Sequence, residues 1–336
     1  MLKYIVKRIL ISILILVGVS FLVYTLVWLM PSDYITNKYA ASVAQGNMTQ
    51  ADVERIKDIY GLNSGLIGGY FNWLGKVFQG DLGDSFIYST TLADGTATRN
   101  VVYVIKSKMG ISFGISFVAT VLEFLIAIPL GILSAKKQYS FTDYLVTVLV
   151  MMGISLPTFF FAALLMRVFS IELGWLPLQG LRDATIISYP SFWAQLGDIL
   201  RHLTLPMITL VILSIGGLMR YTRTNMLEVL NADYIRTARA KGLSEHTVIY
   251  KHAFRNTLIP LVTMFAGILP GLFGGAMITE TVFALPGVGQ MTYNAVVQGD
   301  IPLIMADTMF IAILSVIGVL LSDLMYAIVD PRVKLS

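Results

Sequence analysis

Six stretches of the chain are almost free of charged side chains: residues 9–30, 109–134, 144–166, 203–221, 257–281 and 303–329. Each has about the 20 residues that an α-helix needs to cross a bilayer. Their apolar residues run on continuously and do not alternate, which predicts helices and not barrel strands. The pattern predicts an all-α integral membrane protein with six transmembrane helices. The first run needs separate treatment, because Lys3, Lys7 and Arg8 precede it as they would in a secretion signal. It extends from Ile9 to Met30 without an A-x-A site, beyond the roughly 7–15 residues of a cleaved signal core. It is predicted to be a retained first span.

The polar intervals organise the rest. Residues 31–108 form a long insert after the first span, in which Thr49 can cap a short helix, with Asp52 three residues on and Gly61 at its end. Its stretch GGYFNWLGKVFQGDLGDSF mixes aromatics with glycine, which suits a membrane surface. TLADGTATRN, residues 91–100, fits no element of this pattern. A second interval, about 167–202, holds LGWLPLQG and SYPSFW. The third is the most polar: DYIRTARAKGLSEHTVIYKHAFRN, residues 233–256, lies between apolar runs on both sides. Leu227, Leu230, Tyr234 and Ala238 recur there at helical spacing. Gly242 is a natural helix stop, Ser244 can cap a following helix, and Val248 and Ile249 give that helix a small apolar face. Two short helices with a sharp break are predicted. The domains expected are an N-terminal segment with the first span (1–30), the insert (31–108), and a core (109–336) that contains the polar loop 222–256.

Composition and charge sharpen this picture. The chain has 336 residues, of which 56% are hydrophobic and 13% charged, against roughly 25% charged in a soluble domain. With no cysteine, disulfides, thiolate metal sites and cysteine nucleophiles are excluded. His202, His246 and His252 follow no metal-ligand spacing, so no metal, cofactor or catalytic residue is assigned. The net charge of +4 is read as orientation and not as nucleic-acid binding. With the N-terminus in the cytoplasm, the short inside segments collect Lys136, Lys137, Arg220, Arg223, Arg236, Arg239, Lys241, Lys251 and Arg255, while residues 282–302 carry no Lys or Arg. Both termini and the 222–256 loop are therefore expected inside, and the insert outside. There is no GxxxxGK[ST] phosphate cradle, so any ATPase belongs to another polypeptide.

The stretch DYIRTARAKGLSEHTVIYKHAFRNTLIP resembles the cytoplasmic coupling loop of ABC-importer permeases, and within them the dipeptide, oligopeptide and nickel permease family. GDLGDS (80–85), IPLGILSAKK (128–137), GISLPTFFFAALLMRVFS (153–170), LGWLPLQG (173–180), HLTLPMITL (202–210), GGAMITETVFALPGVGQ (274–290) and DLMYAIVDPRVKL (323–335) extend the resemblance over nearly the whole chain. The general loop pattern begins Glu-Ala-Ala, where this chain has Arg236, Thr237 and Ala238; its proline comes thirteen residues after the glycine, whereas Pro260 comes eighteen after Gly242. Both departures resemble the peptide subfamily.

The resemblance implies a type I importer fold in a bacterial or archaeal cytoplasmic membrane. It also implies partners: a second, homologous permease in a heterodimer, two cytoplasmic ATPase subunits, and an external binding protein, periplasmic or lipid-anchored, that delivers short peptides. Nickel chelates, opines or glutathione are alternative cargoes. A channel or secondary transporter is the alternative class; it would need inverted repeats or chains of intramembrane charge. An intramembrane enzyme would need convergent catalytic groups, which no helix offers. The residues implied in ATPase coupling are Ala238, Gly242, Leu243, Ser244, Glu245, Val248, Ile249 and His252, with Leu243, Ser244, Val248 and Ile249 expected as direct contacts. Glu123, well inside the second apolar run, is a candidate pathway residue, and Glu280 a candidate gate or interface residue. Gly216–Gly217 and Gly274–Gly275 allow close helix approach and are candidates for the contact with the second permease.

Overall fold

The computed structural model describes residues 2–30, 34–44, 46, 49–59, 64–262 and 264–329. Asp33, Gly61, the Asp52 side chain, Arg332 and Lys334 lie outside the described residues, as does the end of the last family-like stretch. Two compact units share the chain: residues 1–107 with 294–316, and residues 108–293 with 317–336.

In the first unit, α1 (Leu2–Trp28) is followed by α2 (Tyr34–Ala44), α3 (Gln50–Ile59) and α4 (Leu66–Phe78). α3 begins directly after Thr49, as the capping pattern predicts. Tyr24 of α1 packs on Tyr70 and Trp73 of α4, with ring centroids 5.8 and 5.7 Å apart. Ile301, Met305 and Met309 complete this core. Aromatic rings at such separations attract beyond the area they bury. Leu10, Leu14, Leu22 and Leu26, at multiples of four residues, leave a strongly exposed apolar stripe along α1, the face expected to meet lipid. Asp300 is fully buried. Its Oδ2 accepts from Ser85 Oγ at 2.5 Å and from the Phe86 and Ile87 amides at 3.0 and 3.2 Å, which ties GDLGDS down.

Among the described residues, the all-α expectation is broken by a two-stranded sheet that falls on TLADGTATRN. β1 (Thr90–Thr91) pairs antiparallel with β2 (Ala97–Thr98). The Gly95 amide donates to the Leu92 carbonyl, and Gly95 itself takes φ +84°. That is a turn closed by a left-handed glycine, a common hairpin loop. Asp94 accepts from both the amide and the hydroxyl of Thr96, which holds its carboxyl below the usual range.

In the second unit, α5 (Val101–Lys136, from Lys108 onward), α6 (Phe141–Ser155) and α8 (Phe192–Leu230) pack as long apolar helices. The span expected over 144–166 is bent: α6 and the helix that follows it meet at 101°. Pro157 is the cause. It has no N–H to continue the ladder, and it forces the preceding Leu156 into an extended conformation (φ −87°, ψ 130°). Beyond it α7 (Thr158–Leu165) runs on as a π-helix, Met166–Glu172.

The span expected over 257–281 is not one helix either. It is divided into α10 (Phe254–Val262), α11 (Phe265–Gly274) and α12 (Met277–Val282). Gly275 lies between the last two with φ +71°, which no helix continues through. α13 (Val288–Gln298) and α14 (Ile301–Val329) follow. Among the described residues, four helices are long and apolar enough to cross a membrane, and a fifth crossing results if the bent pair counts as one. Gly216 faces Val150 and Ile154 of α6 with no room for a Cβ. Its smallness serves packing inside this chain, as does that of Gly275 against Glu280 and Ser112, whereas a Cβ at Gly217 would meet nothing within 4 Å.

Candidate functional site

The polar loop breaks where Gly242 and Ser244 predict, with an exposed tip on a buried root, but α8 ends at Leu230 and a new helix starts at Asp233, so Leu227 and Leu230 share no helix with Tyr234 and Ala238. α9 (Asp233–Ala240) ends where the Lys241 amide donates to the Thr237 carbonyl and Gly242 turns with φ +76°. Ser244 Oγ then accepts from the Thr247 amide at 3.3 Å and opens the next segment. That segment is a π-helix, Thr247–Ala253, which passes into α10. Arg239 Nε donates to Glu245 Oε1 at 2.7 Å and bridges the break from outside. Ile235 and Ala238 of α9 join Val248, Ile249 and Ala253 in one core with Ile132 and Ala135 of α5 and Met226 of α8.

This geometry separates the expected coupling residues into two sets. Gly242, Leu243, Ser244 and Glu245 are exposed, and so are Tyr234, His246 and Tyr250. Ala238, Val248 and Ile249 are buried (Val248 completely) and His252 is half-buried. The direct contact expected of Val248 and Ile249 does not fit that burial. They turn inward to the core and seat the element there. Tyr234, expected on one helical face with Leu227, Leu230 and Ala238, is exposed instead, and Tyr250 is a second surface aromatic beside the buried Ile249.

Glu280 is fully buried near the start of α12. Its Oε1 accepts from Ser112 Oγ (2.8 Å) and the Ala276 amide (3.1 Å), and its Oε2 from the Gln290 amide (3.1 Å). Ser112 Oγ accepts in turn from the Val288 amide at 2.7 Å. A carboxylate held by neutral donors on three sides is a rigid staple between α5 and the α12–α13 turn, and Gly287 leaves the room for it. The sequence reading offered Glu280 as a gate or an interface; the geometry places it inside the chain's own fold.

Glu123 lies differently. It is half-exposed on α5 and lines an open cavity of about 290 Å³. Ser116, Ala119 and Thr120 on the same helical face form one wall, and Ser214 of α8 with Gly267 and Gly271 of α11 the other. The Ser214 hydroxyl, on the same cavity, donates to the Val211 carbonyl at 3.2 Å.

One centre was missed in the sequence. Asp143 is almost fully buried at the start of α6. Arg223 grips it with two prongs, Nε to Oδ1 at 2.9 Å and Nη2 to Oδ2 at 2.8 Å, and also reaches Ser134 Oγ at 3.0 Å. Ser134 Oγ donates to Asp143 as well, and the Tyr139 amide adds a bond at 2.9 Å. The knot joins α5, α6 and α8 beside Ile132 and Ala135, the residues that receive the root of the 233–253 element. A signal was present: Ser140 caps α6, and Asp143 sits three residues on, the spacing of a capping box.

These features define a helical, multi-pass membrane protein with an anchored helix–break–helix projection and no catalytic constellation among the described residues. Residues 127–335 match the family described as binding-protein-dependent transport system inner membrane component, and residues 1–87 match its N-terminal family. The chain belongs to this family. It is 39% identical, over 99% of its length and all of the relative, to the oligopeptide transport system permease protein AppB of Bacillus subtilis. It is 38% identical to a putative peptide permease protein of Brucella ovis over the full length of both chains. The dipeptide transport system permease protein DppB of Alkalihalophilus pseudofirmus is 33% identical over 99% of this chain and all of the relative. Inward-facing structures of the MetNI methionine ABC transporter share the fold. One superposes with a TM-score of 0.53 at 16% identity, and covers 68% of this chain and 98% of the other.

Proposed function

We propose that this chain is one of two membrane-spanning permease subunits of an ATP-driven importer, and that its cargo is short peptides. Relatives named for oligopeptide and dipeptide transport, matched end to end, support the cargo. The observation that carries the mechanism is the 233–253 element, whose exposed tip is rooted in α5 and α8. In this reading both termini and the element lie in the cytoplasm, and residues 31–108 lie outside, facing the delivering protein. The tip residues Tyr234, Leu243, Ser244, Glu245 and Tyr250 enter a groove on an ATPase subunit. ATP draws two ATPases together, and the element moves with them as a rigid lever, because Val248, Ile249 and Ala253 bind it to the bundle core. That motion biases the bundle between outward-open and inward-open states. A shift from about 1:99 to 99:1 needs roughly 5.5 kcal/mol of differential binding.

The test is uptake of a labelled tripeptide by the full complex in liposomes, with and without ATP. Leu243→Asp and Tyr250→Asp are expected to abolish ATPase retention during purification while the permease stays folded. Uptake that proceeds equally without ATP, or ATPase retention unaffected by both changes, overturns the reading.

A further inference from the structure

We infer that Glu123 receives the α-ammonium group of the peptide in transit, and so orients it with its amino end towards α5; the inference rests on the peptide reading above. Depth is the first argument. Lys108 and Lys136 bracket the apolar part of α5. They are 28 residues apart, about 42 Å along a helix, which matches the roughly 40–45 Å of a bilayer with its headgroups. Glu123 falls half-way between them. An ionisable side chain at that depth is costly and is kept where it faces a cavity or a partner.

The cavity supplies the second argument. Ser116, Thr120 and Ser214 bring hydroxyls to its wall, and Gly267 and Gly271 bring no bulk opposite. Among the described residues no Lys or Arg lines it, so the complement of the carboxylate is not part of the wall. A primary ammonium has three donors, and Glu123 with two neighbouring hydroxyls offers that number of acceptors. A peptide's terminal carboxylate would instead be repelled. At about 290 Å³ the cavity is at the lower end of small-ligand sites, roughly 300–1,000 Å³. It suits a terminal residue and not a whole peptide.

The test compares two labelled probes, trialanine and its des-amino analogue propionyl-dialanine, at concentrations that saturate the delivering protein. The full complex is used in liposomes. One charge-assisted contact predicts that the unaltered complex carries trialanine about tenfold faster. In Glu123→Gln the ratio is expected to fall to about one, mainly through slower trialanine, and Glu123→Asp is expected to keep part of it. An unchanged ratio in Glu123→Gln overturns the inference, and so does equal transport of both probes by the unaltered complex. Loss of the second permease on purification of Glu123→Gln also overturns it, and assigns the acid to a basic side chain of that subunit. If the unaltered complex carries neither probe, the peptide reading itself falls, which is a different result from failure of the Glu123 assignment alone.

Discussion

Replacing Glu280 with Gln changes one atom of a buried knot and keeps its shape. The glutamine has one carbonyl oxygen where the carboxylate had two. If that oxygen takes the Oε1 position it still accepts from Ser112 Oγ and the Ala276 amide. The new NH₂ then faces the Gln290 amide, donor against donor. The opposite flip leaves two donors unmet and is worse. The better arrangement loses one charge-assisted bond and leaves a buried N–H without an acceptor, which costs about 1–3 kcal/mol. Glu280→Ala strands the Ala276 and Gln290 amides and empties the site, and the cost rises to about 3–5 kcal/mol. Unfolding of a detergent-solubilised complex is irreversible, so the quantity to measure is the half-life of inactivation at fixed temperature. If the knot opens before the rate-limiting step, the Gln variant should inactivate up to about 5- to 150-fold faster. Ser112→Ala should act in the same direction, because it removes a donor to Glu280 and an acceptor of the Val288 amide. The double variant should cost less than the sum of the two, as residues in one network do. A Glu280→Gln complex with unchanged half-life but altered uptake would refute the staple and restore Glu280 to a gating role.

Three other outcomes are expected. Asp143→Asn removes the negative charge and turns one of the two acceptor oxygens facing Arg223 into an NH₂ donor, and should destabilise the chain by about 3–5 kcal/mol; Arg223→Lys should cost less, and thermal inactivation of the complex measures both. Ile249→Ala empties part of the root core and should cost about 2–5 kcal/mol, whereas Leu243→Ala at the exposed tip should leave stability within about 0.5 kcal/mol and lower ATPase retention, so the two are separated by paired melting and co-purification. Gly242→Val forces a β-branched residue to φ +76° and should cost about 1–3 kcal/mol locally, read as easier proteolysis between Lys241 and Ser244.

Periodicity revealed those parts of the fold that single runs of sequence determine. α1, α5, α8 and α14 each cover an apolar stretch recognised in advance, because a lipid-facing helix needs no partner to declare itself. Failures came where one local residue overrules a run. Pro157 bends a stretch whose composition reads as continuous, and Gly275 divides the fifth. The hairpin at 90–98 had its own marker in Asp94–Gly95, but four strand residues are too few to show an alternation.

The sites divide along the same line. The helix–break–helix of residues 233–253 was legible because Gly242 and Ser244 are local signals. The apolar side of its second half was legible too, in Val248 and Ile249, but not that their burial in the chain's own core takes them away from a partner's reach. Asp143 and Arg223 lie 80 residues apart, and the arginine read as one more cytoplasmic charge. Its position now gives the 233–253 element a mechanical context. The end of α5 holds Ser134 of the ion-pair knot, and its neighbours Ile132 and Ala135 receive Ile249 and the rest of the root. A displacement of the tip therefore reaches a junction where α5, α6 and α8 are tied by charge-assisted bonds that cannot lengthen by much without breaking. The knot therefore ties the three helices together at the point where the proposed lever is rooted, which is what the coupling reading asks of it.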